Sequence, residues 1–491
     1  MRSLSVFFRA RLWKQRIDNV LYSRYHMPIN KRLFSLTSKP LKSSVDIDSK
    51  KLIIQKTTSP KKKTAYEQLI FGHEFTDHML EIDWDQVNGW HEPIIRPYGP
   101  LSLEPSASVL HYAIEAFEGL KAYVDATDPT KIRLFRPDQN VNRLLNSCTR
   151  LALPSFNGDE FLKCLYTLLH LDRSWVPSKD NYSLYIRPNI ISTHPFIGIA
   201  PSQAAKLYVI LSPVGPHYRE GFKPVSLYCT QDYVRAWPKG TGSNKLGLNY
   251  APTIVPQLQA AEKGYSQVMW LFGTMNQFFF WINEKKEKEL ITCPLDGSIL
   301  PGVTRDSILK ICKDWNEFKV TERPFTMKEV TKAITEGRML ESFGAGTASI
   351  ISPIKLIHYK GKDYNIPLNP QNPNENAGPL ARKLFKAITD IQKFNTLHHV
   401  LCYKSFLLPK MLSLIDKPKL YLFFVVLHPS WLLLQTQYHE TKNVKLKSEV
   451  ALSAFQSKHV IQSTTGFCKM IETSESFQNE EFCVLAPTSL Y

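Results

Sequence analysis

Alternation of apolar and polar residues predicts strands over Phe75–Ile82, Ile132–Phe135, Ser183–Pro188 and Lys206–Leu211. Between them the spacing becomes that of a helix. Val141, Leu144, Leu145 and Leu151 share one face of Gln139–Leu151, and Phe161, Leu162, Leu165 and Leu168 do so over Gly158–Leu171. Ser212–Pro216, with Pro213, Gly215 and Pro216, breaks the pattern and reads as a connection. Beyond it, Val225–Cys229, Ser266–Ile282, Leu290–Thr292 and Lys319–Arg323 read as strands, and Tyr250–Lys263, Thr304–Trp315 and Met327–Glu336 as helices. Strands and helices interleave without strict alternation. The expected fold is α/β of the α+β kind, in two domains joined at about residues 212–222 with a cleft between them.

The chain has 491 residues, 43% of them hydrophobic, which leaves room for two or three domains with real cores. Its formal charge of +17 would suit a nucleic-acid partner, but the charge is localised. Residues 1–63 hold 16 Lys/Arg against 3 Asp/Glu, while residues 64–393 are nearly neutral at +2. A basic binding surface for nucleic acid is therefore not expected on the body of the protein. Residues 1–44 are basic, acid-poor and interspersed with Phe7, Phe8, Leu12, Trp13, Val20 and Leu21, the pattern of a mitochondrial transit peptide. Residues 45–65 read as a linker, 66–211 as a smaller α/β domain and 223–393 as a larger one. The eight cysteines include no CxxC pair, so neither a zinc site nor a disulfide framework is expected.

Candidate chemistry concentrates around Gly240-Thr241-Gly242-Ser243-Asn244-Lys245, which sets a lysine after two glycines and ahead of a helix. Leu300-Pro301-Gly302-Val303-Thr304 opens another helix, whose free N–H groups and dipole suit an anion. Gly344-Ala345-Gly346-Thr347 offers a second compact turn with donors, and Arg136 and Arg143 flank a helix start from which a guanidinium can grip a phosphate. A reactive lysine with several phosphate-cradling elements points to pyridoxal 5′-phosphate (PLP).

Ordered motifs sharpen that reading. They are Phe75-Thr76-Asp77-His78-Met79-Leu80, Leu110-His111-Tyr112, Ala116-Phe117-Glu118-Gly119-Leu120-Lys121-Ala122, Leu134-Phe135-Arg136-Pro137, Ser183-Leu184-Tyr185-Ile186-Arg187-Pro188, Asn244-Lys245-Leu246-Gly247-Leu248-Asn249-Tyr250 and Leu300-Pro301-Gly302-Val303-Thr304-Arg305. In this order, from about Phe71 to Lys393, the chain resembles the branched-chain amino-acid aminotransferases of mitochondrial type, PLP enzymes of the class IV fold with the active site between two domains. The resemblance implies exchange of an amino group between Leu, Ile or Val and 2-oxoglutarate, in a homodimer of the mitochondrial matrix, with glutamate and 2-oxo acids as the other reactants. It places Lys245 on the catalytic lysine that carries PLP covalently. Arg143, Val303, Thr304 and Thr347 fall on phosphate contacts, Tyr250 on the partner of the cofactor's phenolic oxygen, and Thr274 among the cofactor-binding positions. Phe75, Tyr112, Phe117 and Tyr185 match the apolar wall for a branched side chain. Arg187 matches the arginine that seats glutamate's second carboxylate, and Thr347 and Ala348 the turn that receives the α-carboxylate. No metal site and no membrane span are expected.

Three departures stand out. About ten family residues are missing where Met269-Trp270-Leu271-Phe272 runs straight into Gly273-Thr274-Met275-Asn276, and Leu271 holds the offset of the glutamate that pairs with the pyridine nitrogen. No Asp or Glu lies between Gln267 and Asn283, so the lost segment would impair turnover, and Ser266–Ile282 is expected to form one run. A family CxxC becomes Ser349-Ile350-Ile351-Ser352, which removes a thiol switch. The resemblance ends near Lys393, leaving 394–491 as a tail expected to be poorly ordered. Its longest apolar stretch, Leu420–Leu434, is too short to cross a bilayer. Two other readings accompany the main one: a weakened or non-enzymatic PLP-fold subunit, which the lost glutamate would fit, and another class IV aminotransferase or lyase, which the aromatic wall opposes.

Overall fold

A computed structural model describes residues 45–216, 222–271, 276–369, 372, 375–393, 395–396 and 403–404. The transit-peptide reading, Thr274 and the Leu420–Leu434 run lie outside these residues. Two mixed sheets organise the described chain. The first runs in the order Ile53–Ile54, Ile94–Pro97, His78–Asp85, Ala204–Val214, Ser183–Ser192, Leu120–Val124, Ile132–Phe135 and Tyr403–Lys404, with Gly89–Trp90 and Glu115–Phe117 pairing alongside. The second runs Gln267–Trp270, Val225–Thr230, Ile350–Tyr359, Met339–Gly346, Gln277–Ile282, Lys288–Thr292 and Lys319–Glu322, with Lys362–Asn365 beside Ile350–Tyr359.

Helices Pro137–Arg150 and Gly158–Leu171 cover the first sheet. Leu144, Phe161, Leu165 and Leu168 bury themselves against Leu80, Ile82, Leu134, Leu184 and Ile186. Each such side chain contributes about 1.5–3 kcal/mol through removal of apolar surface from water. Asn157 starts the second helix by accepting the N–H groups of Asp159 and Glu160. On the second sheet, Val303–Trp315 and Pro379–Gln392 pack Ile308, Leu384 and Ile388 against Phe278, Phe343 and Ile351. Met327–Thr335 closes a separate core with Met327 and Val330 against Phe279, Trp281 and Phe325. Phe135 of the first sheet enters the second sheet's core, so the two layers share apolar contacts.

Two predicted segments differ. Ser266–Ile282 is not one strand: Gln267–Trp270 lies at an edge of the second sheet beside Val225–Thr230, while Gln277–Ile282 sits between Met339–Gly346 and Lys288–Thr292. A mostly apolar run without a regular period cannot distinguish one long strand from two buried ones, and here each half finds its own partners. Ser212–Val214 belongs to the strand Ala204–Val214 rather than to a connection. Pro213 is tolerated because it faces Leu184 on one side and lies beyond the residues that pair with His78–Asp85 on the other.

The C-terminal helix is fixed by a buried carboxylate. Glu341 accepts the N–H groups of Leu380 (2.9 Å) and Ala381 (3.0 Å) at the first turn of Pro379–Gln392, where no side chain of the helix's own N-cap does so. Burial pushes the Glu341 carboxyl up to about 6 despite these donors. Glu341→Ala leaves two buried donors unmet and should lower stability by about 1–3 kcal/mol, read as a lower urea midpoint at unchanged slope.

Candidate active site

The Gly-rich loop is shaped by its own side chains before it meets anything else. Asn249 donates through Nδ2 to the carbonyls of Thr241 and Asn244 (both 2.9 Å) and accepts from Thr241 Oγ1 (2.7 Å), which folds residues 241–249 into a compact bend. Gly242 lies against the backbone of Ser298, leaving no room for a Cβ. The first sheet and the helix Pro137–Arg150 then grip the lysine backbone. Phe117 N–H donates to the Lys245 carbonyl (3.0 Å), and Lys245 N–H donates to Ser147 Oγ (2.9 Å).

Held in this way, the Lys245 Nζ donates to Tyr250 Oη at 3.0 Å and lies over the Phe117 ring, 4.6 Å from its centroid. Phe117 and Tyr250 are tilted neighbours at 5.0 Å. Arg235, buried, also hydrogen-bonds Tyr250. Burial alone would raise the Tyr250 phenol, but the charges of Lys245 and Arg235 outweigh it and hold the group below its ordinary value. The phenol oxygen is thus a focus of positive charge, suited to share a hydrogen bond with an anionic oxygen of a ligand.

Arg143 sits behind this pair on the helix Pro137–Arg150. Its Nε donates to Glu118 Oε1 (2.6 Å), its Nη2 to Oε2 (2.9 Å) and its Nη1 to the Pro301 carbonyl (3.0 Å). Asn140 Nδ2 adds a further donor to Glu118 Oε2 at 2.8 Å. Burial opposes ionisation of Glu118, yet the adjacent Arg143 charge prevails and keeps the carboxyl below the usual range. Arg143 is thereby aimed at residues 301–303, where Gly302 begins the helix Val303–Trp315 without any side-chain cap. Val303, Thr304 and Thr347 line one recess beside Asn140 and Lys121. Arg136 plays another part: it pairs with Asp306 (2.6 Å) and donates to Ser307 (2.9 Å), tying the same helix from its side.

Tyr185 and Arg187, two residues apart on one strand, face the same way. Arg187 Nη2 donates to Tyr185 Oη (3.1 Å), and its guanidinium stands over Phe117 at 4.8 Å. Its buried Nε has no partner among the described residues, a donor open to an anion. Ala348 enters through its carbonyl, which accepts Lys121 Nζ at 2.8 Å. Phe75 stacks on Tyr98 at 4.9 Å and makes no described contact with the Lys245 cluster. Tyr112 is also apart, 38% exposed, with its hydroxyl donating to the Ile197 carbonyl. Leu271 packs into the second sheet's core. Glu118, Ser147, Lys121 and Arg235 are site residues that motif reading does not single out, although Glu118 and Lys121 lie within the motif 116–122.

The donor set fits PLP in three respects: a lysine beside a phenol, an uncapped helix start backed by a guanidinium, and an unmatched arginine nitrogen. Two variants probe the framework itself. Glu118→Ala strands Arg143 as a buried charge and should cost about 3–5 kcal/mol of stability in denaturant titration. Gly119→Ala sets a Cβ against the Tyr185 hydroxyl, and should shift Tyr185 and Arg187 with little change in overall fold, measured by unchanged far-ultraviolet circular dichroism and weakened binding of dicarboxylates.

Comparison with known proteins agrees with this geometry. The amino-transferase class IV family matches residues 115–357. The branched-chain-amino-acid aminotransferase of Dictyostelium discoideum is 54% identical over 355 residues, covering 70% of this chain and 93% of that protein. The mitochondrial enzyme of Schizosaccharomyces pombe is 48% identical over 358 residues, covering 70% and 83%. Both mitochondrial and cytosolic forms occur among the relatives. The crystal structure of the branched-chain aminotransferase of Thermoproteus uzoniensis with norvaline shares the fold at a TM-score of 0.52 and 20% identity, over 66% of this chain and 98% of that one. With a lysine, a phenol and a guanidinium-backed helix start in the family's order, the chain belongs to the branched-chain-amino-acid aminotransferases of class IV.

Proposed function

We infer that the chain is a PLP-dependent transaminase that moves the amino group of L-Leu, L-Ile or L-Val to 2-oxoglutarate. The observation that carries this is the Lys245 Nζ at 3.0 Å from Tyr250 Oη, over the Phe117 ring and beside the anion cradle of Arg143 and Gly302–Thr304. PLP supplies, when bound, an electron sink that acidifies the substrate Cα–H and a carrier for the amino group. Lys245 holds the cofactor and moves the proton at Cα. Tyr250 orients the cofactor's phenolic oxygen, and Arg143, Val303, Thr304 and Thr347 seat its phosphate, with Thr274 as a further contact.

Substrate selection rests on the other wall. Phe117 and Tyr185 favour a branched apolar side chain by about 0.8 kcal/mol per buried CH₂. Arg187 exposes an unmatched donor to glutamate's second carboxylate, and the Thr347–Ala348 turn receives the α-carboxylate. This division lets one pocket accept both a branched and an acidic substrate. Tyr112, exposed on its own subunit, is proposed to complete the site of a second copy in a homodimer. The two sheets are read as domains 66–211 and 223–393 around residues 212–222. The basic residues 1–44 and the mitochondrial relatives support a matrix location. No helix among the described residues is long and apolar enough to cross a membrane.

Incubation of the purified full chain with L-leucine and 2-oxoglutarate should yield glutamate, whereas D-alanine should not substitute for L-leucine. Absence of glutamate from PLP-loaded protein would refute the reading. Lys245→Ala should abolish turnover, and Tyr250→Phe should lower kcat about 10–100-fold with a smaller effect on KM.

A further inference from the structure

Outside the Lys245 cluster, the first sheet, the second sheet and the C-terminal helix enclose a cavity of about 150 Å³. Lys121 and Tyr123 line it from the strand Leu120–Val124, Ser349 and Ile350 from the turn after Thr347, and Phe385, Thr389 and Gln392 from the helix Pro379–Gln392. Neither Lys245, Tyr250, Phe117 nor Arg187 borders it. A cavity of this size holds a ring of six carbon atoms, or a short branched chain with a small head group.

The polar groups along its wall are unbalanced. Lys121 is 9% exposed and its Nζ donates to the Ala348 carbonyl, but no carboxylate among the described residues pairs with it. Burial pulls that ammonium down to about 8, so it still carries charge at neutral pH. Tyr123 Oη is buried with no hydrogen-bond partner, and burial raises its pKa, which keeps it a donor. Gln392 Oε1 is likewise unmatched. Lys393 also lines the cavity but is paired with Asp180, so Lys121 is the cation left without a carboxylate, and no acidic residue is among the described lining. A buried cation and an idle phenol donor beside apolar Phe385 and Ile350 call for an anion with an apolar tail.

We propose that this cavity is a second binding site for a short-chain branched 2-oxo acid, with its carboxylate on Lys121 and Tyr123 and its alkyl group against Phe385 and Ile350. The choice of an oxo acid over the corresponding amino acid follows from charge. An α-ammonium would meet the unpaired Lys121 with no carboxylate among the lining residues to receive it, the nearby Asp180 being engaged by Lys393. The recess that Lys121 and Tyr123 share with Val303 and Thr347 holds only about 20 Å³, room for a water, so an organic anion is accommodated on the larger side. Lys121 also joins the new site to the turn proposed to receive the α-carboxylate, through Ala348. In naming the 2-oxo acid, the assignment rests on the transaminase reading.

Calorimetric titration of the PLP-loaded full chain with 4-methyl-2-oxopentanoate, with no amino donor present, tests it. Two equivalents per chain are expected, one at each site. Tyr123→Phe, which removes the donor at nearly constant volume, should weaken one of them about tenfold and leave the other unchanged. Thr389→Phe, which fills the cavity from the helix, should abolish that same equivalent. Unaltered binding in Tyr123→Phe overturns the proposal, whatever Thr389→Phe does. If the transaminase reading fails instead, the equivalent insensitive to Tyr123 is the one that disappears.

Discussion

The site depends on one buried ion pair. Glu118 and Arg143 are 1% and 7% exposed and share two hydrogen bonds, with Asn140 on one carboxylate oxygen and the Pro301 carbonyl on the remaining guanidinium edge. The pair joins the first sheet's motif 116–122 to the helix Pro137–Arg150 and reaches the start of Val303–Trp315. Taking both charges out of water costs several kcal/mol, and only complete hydrogen bonding offsets it. The arrangement therefore adds little net stability. Its effect is to fix where a guanidinium points, which an exposed arginine with free rotamers could not do.

Around that fixed point the lysine is controlled by its backbone. Phe117 from the first sheet and Ser147 from the helix Pro137–Arg150 hold the peptide of Lys245, and Asn249 holds the loop that carries it. The side chain is left to Tyr250, a hydrogen bond that a ligand can share. Several of the unmatched buried atoms lie in this region, Arg187 Nε and Asn276 Oδ1 near the site and Tyr123 Oη and Gln392 Oε1 at the adjoining cavity, while others such as Trp270 Nε1 and Arg305 Nε lie elsewhere in the second sheet's layer. Each is a buried polar atom without its usual partner, a cost to stability that a hydrogen-bonding ligand would offset.

Periodicity made the local elements legible. Gly158–Leu171 could be read to the residue because its apolar face is regular and Asn157 marks its start. Val303–Trp315 could be placed because Pro301-Gly302 announces a helix with an open N-terminus. Ser266–Ile282 misleads because it carries no charge and its polar residues follow no regular period, and partner strands alone decide where it divides. Glu118 was hidden within a motif; its partner lies 25 positions away, and a carboxylate shows no sign in the sequence of being buried.

The sequence by itself determined the chemistry available: a lysine after a glycine turn, an arginine at a helix, a phenol five residues on, and aromatic side chains in a characteristic order. Those follow from local backbone preferences and residue type. Only the tertiary structure decided which of these groups meet. It brought Lys245 to Tyr250 and Phe117, gave Arg143 to Glu118, sent Arg136 to Asp306 and left Tyr112 at the surface. Such pairings depend on long-range strand register and on which charges lose their water together, and neither is encoded in any short stretch of chain.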